Sequence, residues 1–263
     1  MIFGYRRWRE QSYLLNRMTL RDLVKAYFTH PAIQTYILLC LASGVAVVAW
    51  TERPLRAAAA VAVALLVYPF VWYVLHRWVL HGSWAYKSPL TAALWKRVHY
   101  DHHQNPNDLS VLFGGLHTTL TTIFAVTVPI GWLIEGPGGA AAAFATGVAT
   151  TCFYEFCHCI QHLAYTPRWK FLRRMKRLHL AHHFHNEQGN YGITNFLWDR
   201  VLRTYYEKPG QVPRSPTVRN LGYAGAEIER YPWVAQLTEE KAARLSEKEA
   251  EMFGLAKTKN GAG

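Results

Sequence analysis

The sequence predicts an all-α integral membrane protein: a four-helix bundle capped by a cytosolic helical domain rich in histidine. Three observations predict it. Four long apolar runs stand between about 33 and 162, separated by short or polar connections. Lysine and arginine, which leave a formal net charge of +12, collect outside those runs. Ten of the thirteen histidines fall into four clusters with helical spacing.

The N-terminal segment 1–31 is basic and aromatic. Thr19 followed by Asp22 predicts a helix N-cap, with Leu20, Leu23, Val24 and Tyr27 along one face that either lies among lipid headgroups or docks on the protein body. No cleavable secretory signal is expected at 1–11, where Arg6, Arg7 and Arg9 precede no apolar core. The first spanning run is 33–50, closed by the turn TERPL. The second, 56–81, holds about 26 residues; at 1.5 Å each it reaches about 39 Å, longer than a hydrocarbon core of about 30 Å. Its far end, with His76 and His81, must therefore project beyond the acyl region. Runs 111–134 and 140–162 form the third and fourth spans around the loop EGPGG. Gly139, Ala143 and Gly147 recur every four residues, which permits close helix contact. These spans lie in a membrane domain expected over 32–205, followed by a soluble extension over 206–263. In the C-terminal third, 169–184 reads as a basic helix, 190–205 as a turn and helix, 211–233 as irregular, and 239–252 as a charged helix before a frayed tail.

The two short turns, around Pro54 and Pro137, carry few basic residues, so the positive-inside rule sets the histidine clusters on the cytosolic side. A bacterial cytoplasmic membrane is favoured, with the endoplasmic reticulum as the alternative. The same placement of charge beside apolar ends, without a recognition motif, argues against nucleic acid as partner. Cys40, Cys152, Cys157 and Cys159 lack metal-type spacing and read as small apolar residues.

The word His-x-x-His-His occurs twice, as His99, His102 and His103 and as His179, His182 and His183, each after a simpler pair: His76 with His81, and His158 with His162. Neutral imidazole is the commonest protein metal ligand, and one transition metal needs only about four to six donors. Ten donors suit two ions. His76 and His81 stand about 140° apart on an ideal helix, so they either serve different ions or are aligned by a π-bulge. Histidine-only sites with open positions match O2-activating iron better than closed structural zinc, although imidazole also accepts zinc as a substitute. At the mouth of a membrane bundle, a lipid C–H bond is the natural substrate. Trp72, Trp78, Trp84, Tyr100 and Trp198 either line a groove for it or form an interfacial belt. Glu155, one turn before His158, is expected to accept the non-ligating N–H of a histidine, with direct ligation as the rival role; Asp199 is a second such candidate. A histidine-lined metal transporter and a haem protein are the rival classes; the first wants its histidines near mid-membrane, and the second has no use for His-His pairs.

The series HRWVLH, HYDHH, HCIQH and HLAHH, followed by NYGIT and WD, resembles the fatty acid hydroxylase / sterol desaturase superfamily of membrane di-iron oxygenases, over roughly His76 to Arg203. The resemblance implies the ten clustered histidines as ligands of two iron ions, O2 as oxidant, and hydroxylation of a fatty acyl chain, with sterol or carotenoid hydroxylation or desaturation as alternatives. His117 and His185 fall outside the motifs. The only His-Pro, His30 with Pro31, continues as Ala-Ile rather than the haem signature of a fused cytochrome domain, so electrons are expected from a separate ferredoxin or cytochrome b5 type protein.

Overall fold

The computed structural model describes residues 13–252. Arg6, Arg7 and Arg9 and the expected frayed tail lie outside them. The described residues form helices and turns with no strand, only one isolated bridge between Leu14 and Asp108. Three helical segments are long and apolar enough to cross a membrane: Pro31–Trp50, Pro54–Leu80 and Leu116–His162. Their outward faces carry bare aliphatic side chains, Val48 86% and Leu133 85% exposed. Such surfaces need a lipid solvent.

Helix α1 (Leu20–Thr29) opens with the predicted cap, a reciprocal box in which Asp22 N donates to Thr19 Oγ1 and Thr19 N to Asp22 Oδ2. Its buried face is Leu23, Ala26 and Tyr27, rotated from the expected one. The Tyr27 hydroxyl donates to the Cys152 carbonyl at 2.5 Å and fixes that rotation, so Leu20, Val24 and Phe28 face outward as an apolar stripe. Helix α2 (Pro31–Trp50) and helix α3 (Pro54–Val74) both start with proline in the first turn, where its missing N–H costs nothing. α3 runs on into a π-helical turn, Leu75–Leu80.

Short helices α4 (Trp84–Lys87) and α5 (Pro89–Trp95) lead through a second π-turn, Lys96–Tyr100, to α6 (Asp101–Gln104). The third span was expected from 111. The helix instead begins at Leu116, because Asp108 caps a 3-10 turn over Leu109–Val111 and Gly114 and Gly115 follow it. The long segment α7 (Leu116–His162) is interrupted at Glu135 and Gly136, the latter at φ +58°, so the turn is tighter than the five-residue loop read from EGPGG. Glu135 Oε1 accepts the Glu52 amide at 3.0 Å, which brings the two short turns together at one end of the bundle. The two arms of α7 then lie so close that a Cβ on Gly131 would overlap the Gly139 carbonyl and one on Gly147 would meet Ile123, as the small-residue spacing suggested.

Beyond the bundle come α8 (Lys170–Phe184), α9 (Leu197–Val201), α10 (Ala226–Arg230) and α11 (Trp233–Met252). α11 starts six residues before the expected 239, since Trp233 Nε1 donates to the Tyr86 carbonyl and Val234 packs with Tyr86, Trp95 and Tyr223. Gly139→Val is expected to destabilise the protein by about 1–3 kcal/mol through overpacking, read as a lower Tm in detergent; an unchanged Tm would show that the arms do not meet there.

Candidate metal centre

All four histidine clusters meet at the end of the bundle opposite the two turns. The π-turn after α3 places the His81 amide on the His76 carbonyl at 3.1 Å, and this i to i+5 bond puts both rings on one side, which is the bulge alternative raised by their spacing. His99 sits in the second π-turn, His102 and His103 on α6, His158 and His162 at the end of α7, and His179, His182 and His183 on the last two turns of α8. The ten rings form two groups. The first is His76, His81, His99, His103 and His182; the second is His102, His158, His162, His179 and His183. In each group the candidate donor nitrogens lie within 4.8 Å of one another.

Neither triple stays together. The first and last members of each triple, four residues apart and one helical turn, go to one group, and the middle member crosses to the other. Nine of the ten rings are at most 7% exposed, and His81 is half-buried. Burial holds His99, His102, His179, His182 and His183 well below the ordinary imidazole value, neighbouring imidazoles adding to the effect, and pushes His103 down to about 3. All are therefore neutral donors.

The residues fit a metal pair. His76 Nε2 lies 3.3 Å from His81 Nε2, which lies 2.8 Å from His99 Nε2; in the second group His158 and His102 approach to 3.1 Å and His162 and His179 to 2.9 Å. Two nitrogens bound at about 2.1 Å to one ion stand about 3 Å apart when their bonds are near perpendicular. Nε2 of His103 and His182 and both ring nitrogens of His183 are buried without a protein partner. Each such atom costs about 1–3 kcal/mol unless something binds it.

The two carboxylates behave differently from expectation. Glu155 is buried at 5% exposure, but its Oε1 accepts the Gly114 amide at 3.3 Å rather than a histidine N–H, and its Oε2 has no partner. The glycine break before α7 brings that amide to the carboxylate ahead of any ring. Asp199 touches no imidazole either. It accepts the amides of Tyr191 and Gly192 at 2.8 and 2.9 Å and the Thr204 hydroxyl at 2.8 Å. The Tyr191 carbonyl in turn takes the His76 Nδ1 proton at 2.6 Å, so Asp199 connects to His76 through the loop rather than directly. Burial raises its pKa, and these three hydrogen bonds oppose the rise.

Sequence reasoning missed the backbone partners. His103 Nδ1 donates to the Val218 carbonyl at 2.9 Å and His182 Nδ1 to the Gly189 carbonyl at 2.8 Å. Val218 lies in the stretch read as a soluble extension, and Arg219 donates to the His103 carbonyl, so that stretch closes the site. Asn190 turns the loop after α8 at φ +55°, a conformation that no spacing in the sequence signalled.

A cavity of about 420 Å³ borders His76, His99, His102, His158, His179 and His183. Its walls are largely apolar, including Trp72, Leu80, Trp84 and Trp95, and Glu155 forms part of them. Of the expected groove aromatics only Trp72 and Trp84 line it. Tyr100 packs on Trp95 and Tyr223, Trp198 packs at a tilt against Phe70, and Trp78 lies outside, its carbonyl holding the Trp84 indole N–H. His117 lines the cavity away from both groups, and His185 is spent on the Val212 carbonyl.

Residues 61–204 match the family model for fatty acid hydroxylases. The chain is 31% identical over 150 residues to the ceramide very long chain fatty acid hydroxylase of Saccharomyces cerevisiae, covering 54% of this chain and 37% of that one. It is 31% identical over 151 residues to a dihydroceramide fatty acyl 2-hydroxylase of Arabidopsis thaliana, covering 55% and 59%. With the fatty acid 2-hydroxylase of Mus musculus it shares 30% over 141 residues, 53% and 37% of the two chains. It thus spans between 37% and 59% of the length of these curated relatives. The solved hydroxylase domain of full-length scs7p superposes with a TM-score of 0.60 at 27% identity, covering 72% of this chain and 69% of that one.

An unfolded histidine takes up its proton near pH 6.5, whereas His103 resists until about 3. Between those values the unfolded chain binds more protons than the folded one, so stability rises with pH. After metal is stripped by chelation, the Tm is expected to fall steadily as pH drops from about 6.5 toward 3. A flat Tm across that window would contradict the burial of neutral rings.

Proposed function

Since the chain belongs to the fatty acid hydroxylase family, we propose that it is an integral membrane di-iron oxygenase that uses O2 and external electrons to hydroxylate a C–H bond of a lipid acyl chain. The observation that carries this reading is the contact between an apolar cavity and six of ten buried, neutral imidazoles arranged in two five-membered groups. The relatives' names favour carbon 2 of a fatty acyl chain, as in ceramide-like lipids, over the sterol and carotenoid alternatives. A transporter reading is not favoured, because the histidines gather at one end of the bundle rather than along it.

The groups His76, His81, His99, His103 and His182, and His102, His158, His162, His179 and His183, would each hold one iron ion. When bound, such a pair supplies activation of O2 for cleavage of an unreactive C–H bond. The chain's own residues do the rest. Trp72, Leu80, Trp84 and Trp95 hold the alkyl chain and keep water from the reacting carbon. Glu155, oriented by Gly114, has Oε2 free to accept a hydrogen bond from the polar end of the lipid. Entry is from the bilayer: Leu90, at 90% exposure, and Leu94 present apolar side chains on the helix whose inner face walls the cavity.

The bundle reads as four spans, with the arms of α7 as the third and fourth. An even count sets all histidines on one face, taken as cytosolic because the basic residues gather there. Eukaryotic relatives are consistent with an endoplasmic reticulum membrane. The exposed Arg168, Lys170 and Arg173 beside the histidine-bearing helix suit an acidic electron-donor protein of ferredoxin or cytochrome b5 type.

Lipid extracts from cells with and without the protein, compared by mass spectrometry, are expected to differ by addition of one oxygen to an acyl chain. Loss of two hydrogens instead, or no lipid change, would overturn the reading. Glu155→Gln is expected to keep its metal and lose about 3- to 10-fold in turnover, the worth of one ordinary hydrogen bond; wild-type turnover would remove Glu155 from the mechanism.

A further inference from the structure

The two histidine groups differ in how their rings are held from behind. In the first, three of five imidazoles have Nδ1 tied to a backbone carbonyl: His76 to Tyr191 at 2.6 Å, His182 to Gly189 at 2.8 Å and His103 to Val218 at 2.9 Å. A carbonyl only accepts, so Nδ1 carries the proton and Nε2 presents its lone pair inward. Those carbonyls are themselves fixed. Asp199 grips Tyr191 and Gly192, Asn190 exchanges hydrogen bonds with Tyr206 and receives further support from Thr204, and Arg219 with Gln104 ties the Val218 stretch to α6.

In the second group Nδ1 of His102, His162, His179 and His183 is buried with no protein partner. No acceptor behind those four rings fixes the proton on Nδ1, and the Nε2 atoms of His102, His162 and His179 meet only other rings of the group. The same group faces the cavity with four of its members, His102, His158, His179 and His183, against two of the first, His76 and His99.

A hydrogen bond behind a ligating histidine raises its basicity and pre-orients its ring, and losing such a partner costs about 10- to 100-fold in metal affinity. Rings without one must surrender rotational freedom on binding. We propose that the two groups are unequal metal sites: the carbonyl-braced first group holds its ion tightly as a fixed anchor, and the unbraced second group, which faces the cavity, holds an exchangeable ion. This rests on the reading above that both groups bind metal.

The test uses the full chain in detergent, loaded with zinc(II) alone and diluted into excess chelator, with protein-bound zinc followed by elemental analysis. Two ions are expected to leave in two phases whose rates differ by about 10-fold or more. His182→Ala and His183→Ala alter neighbouring residues on one helix yet address different groups. His182→Ala is expected to lose the slow phase and His183→Ala the fast one. Asp199→Asn, which loosens the Tyr191 loop without touching an imidazole, is expected to speed the slow phase alone. Two wild-type ions leaving in one phase, or a slow ion that survives His182→Ala, overturns the inference while leaving the two-metal reading intact. A wild-type protein that takes up no zinc overturns both.

Discussion

An imidazole removed from water keeps one N–H and one lone pair that must both find partners. Ten of them packed together, nearly all inaccessible and with too few acceptors to go round, would be among the costliest arrangements a protein could build. That constraint orders the rest of the structure. The outward nitrogens of one group are met by carbonyls of Tyr191, Gly189 and Val218, and the inward nitrogens converge at about the separation of ligands on a shared ion. Two π-turns, a tight loop after α8 and a stretch far along the chain all serve that convergence.

The bundle delivers the rings to one place. Because the turn at Glu52 and the break at Glu135–Gly136 meet at one end, the long helices end together at the other, and His76, His81, His158 and His162 come within reach of the two triples. The 4-residue step within each triple then sends its ends to one group and its middle ring to the other. Each group so formed draws one pair from a long helix, two rings from one triple and one from the other. The arrangement couples α3, α6, α7 and α8: a shift of α3 disturbs the first group and a shift of α7 the second, whereas α6 and α8 carry rings of both.

Much of this was legible in the residues. Apolar length and the placement of charge located the long helices to within a few positions, and histidine spacing located all ten rings. The π-bulge was among the options because i to i+5 spacing is incompatible with one face of a regular helix. What was not legible depends on backbone atoms, which carry no side-chain signature: the carbonyls that brace the first group, and the Gly114 amide that claims Glu155. Asp199 was marked as a second acceptor for a histidine N–H, but it meets the Tyr191 and Gly192 amides instead, on a local backbone path no periodicity encodes. The stretch after 205 lacks apolar period, so its seat against His103 was hidden. The face of α1 was misjudged for a similar reason: one hydroxyl bond from Tyr27 outweighed the wider apolar stripe.

The central claim is that imidazoles from four separate segments hold two ions in two five-membered groups beside a lipid-facing cavity. Anomalous diffraction from crystals of the metal-loaded protein tests it most directly. The account predicts two peaks of comparable occupancy, one enclosed by His76, His81, His99, His103 and His182 and the other by His102, His158, His162, His179 and His183. A single peak, or ions held elsewhere on the chain, would contradict it.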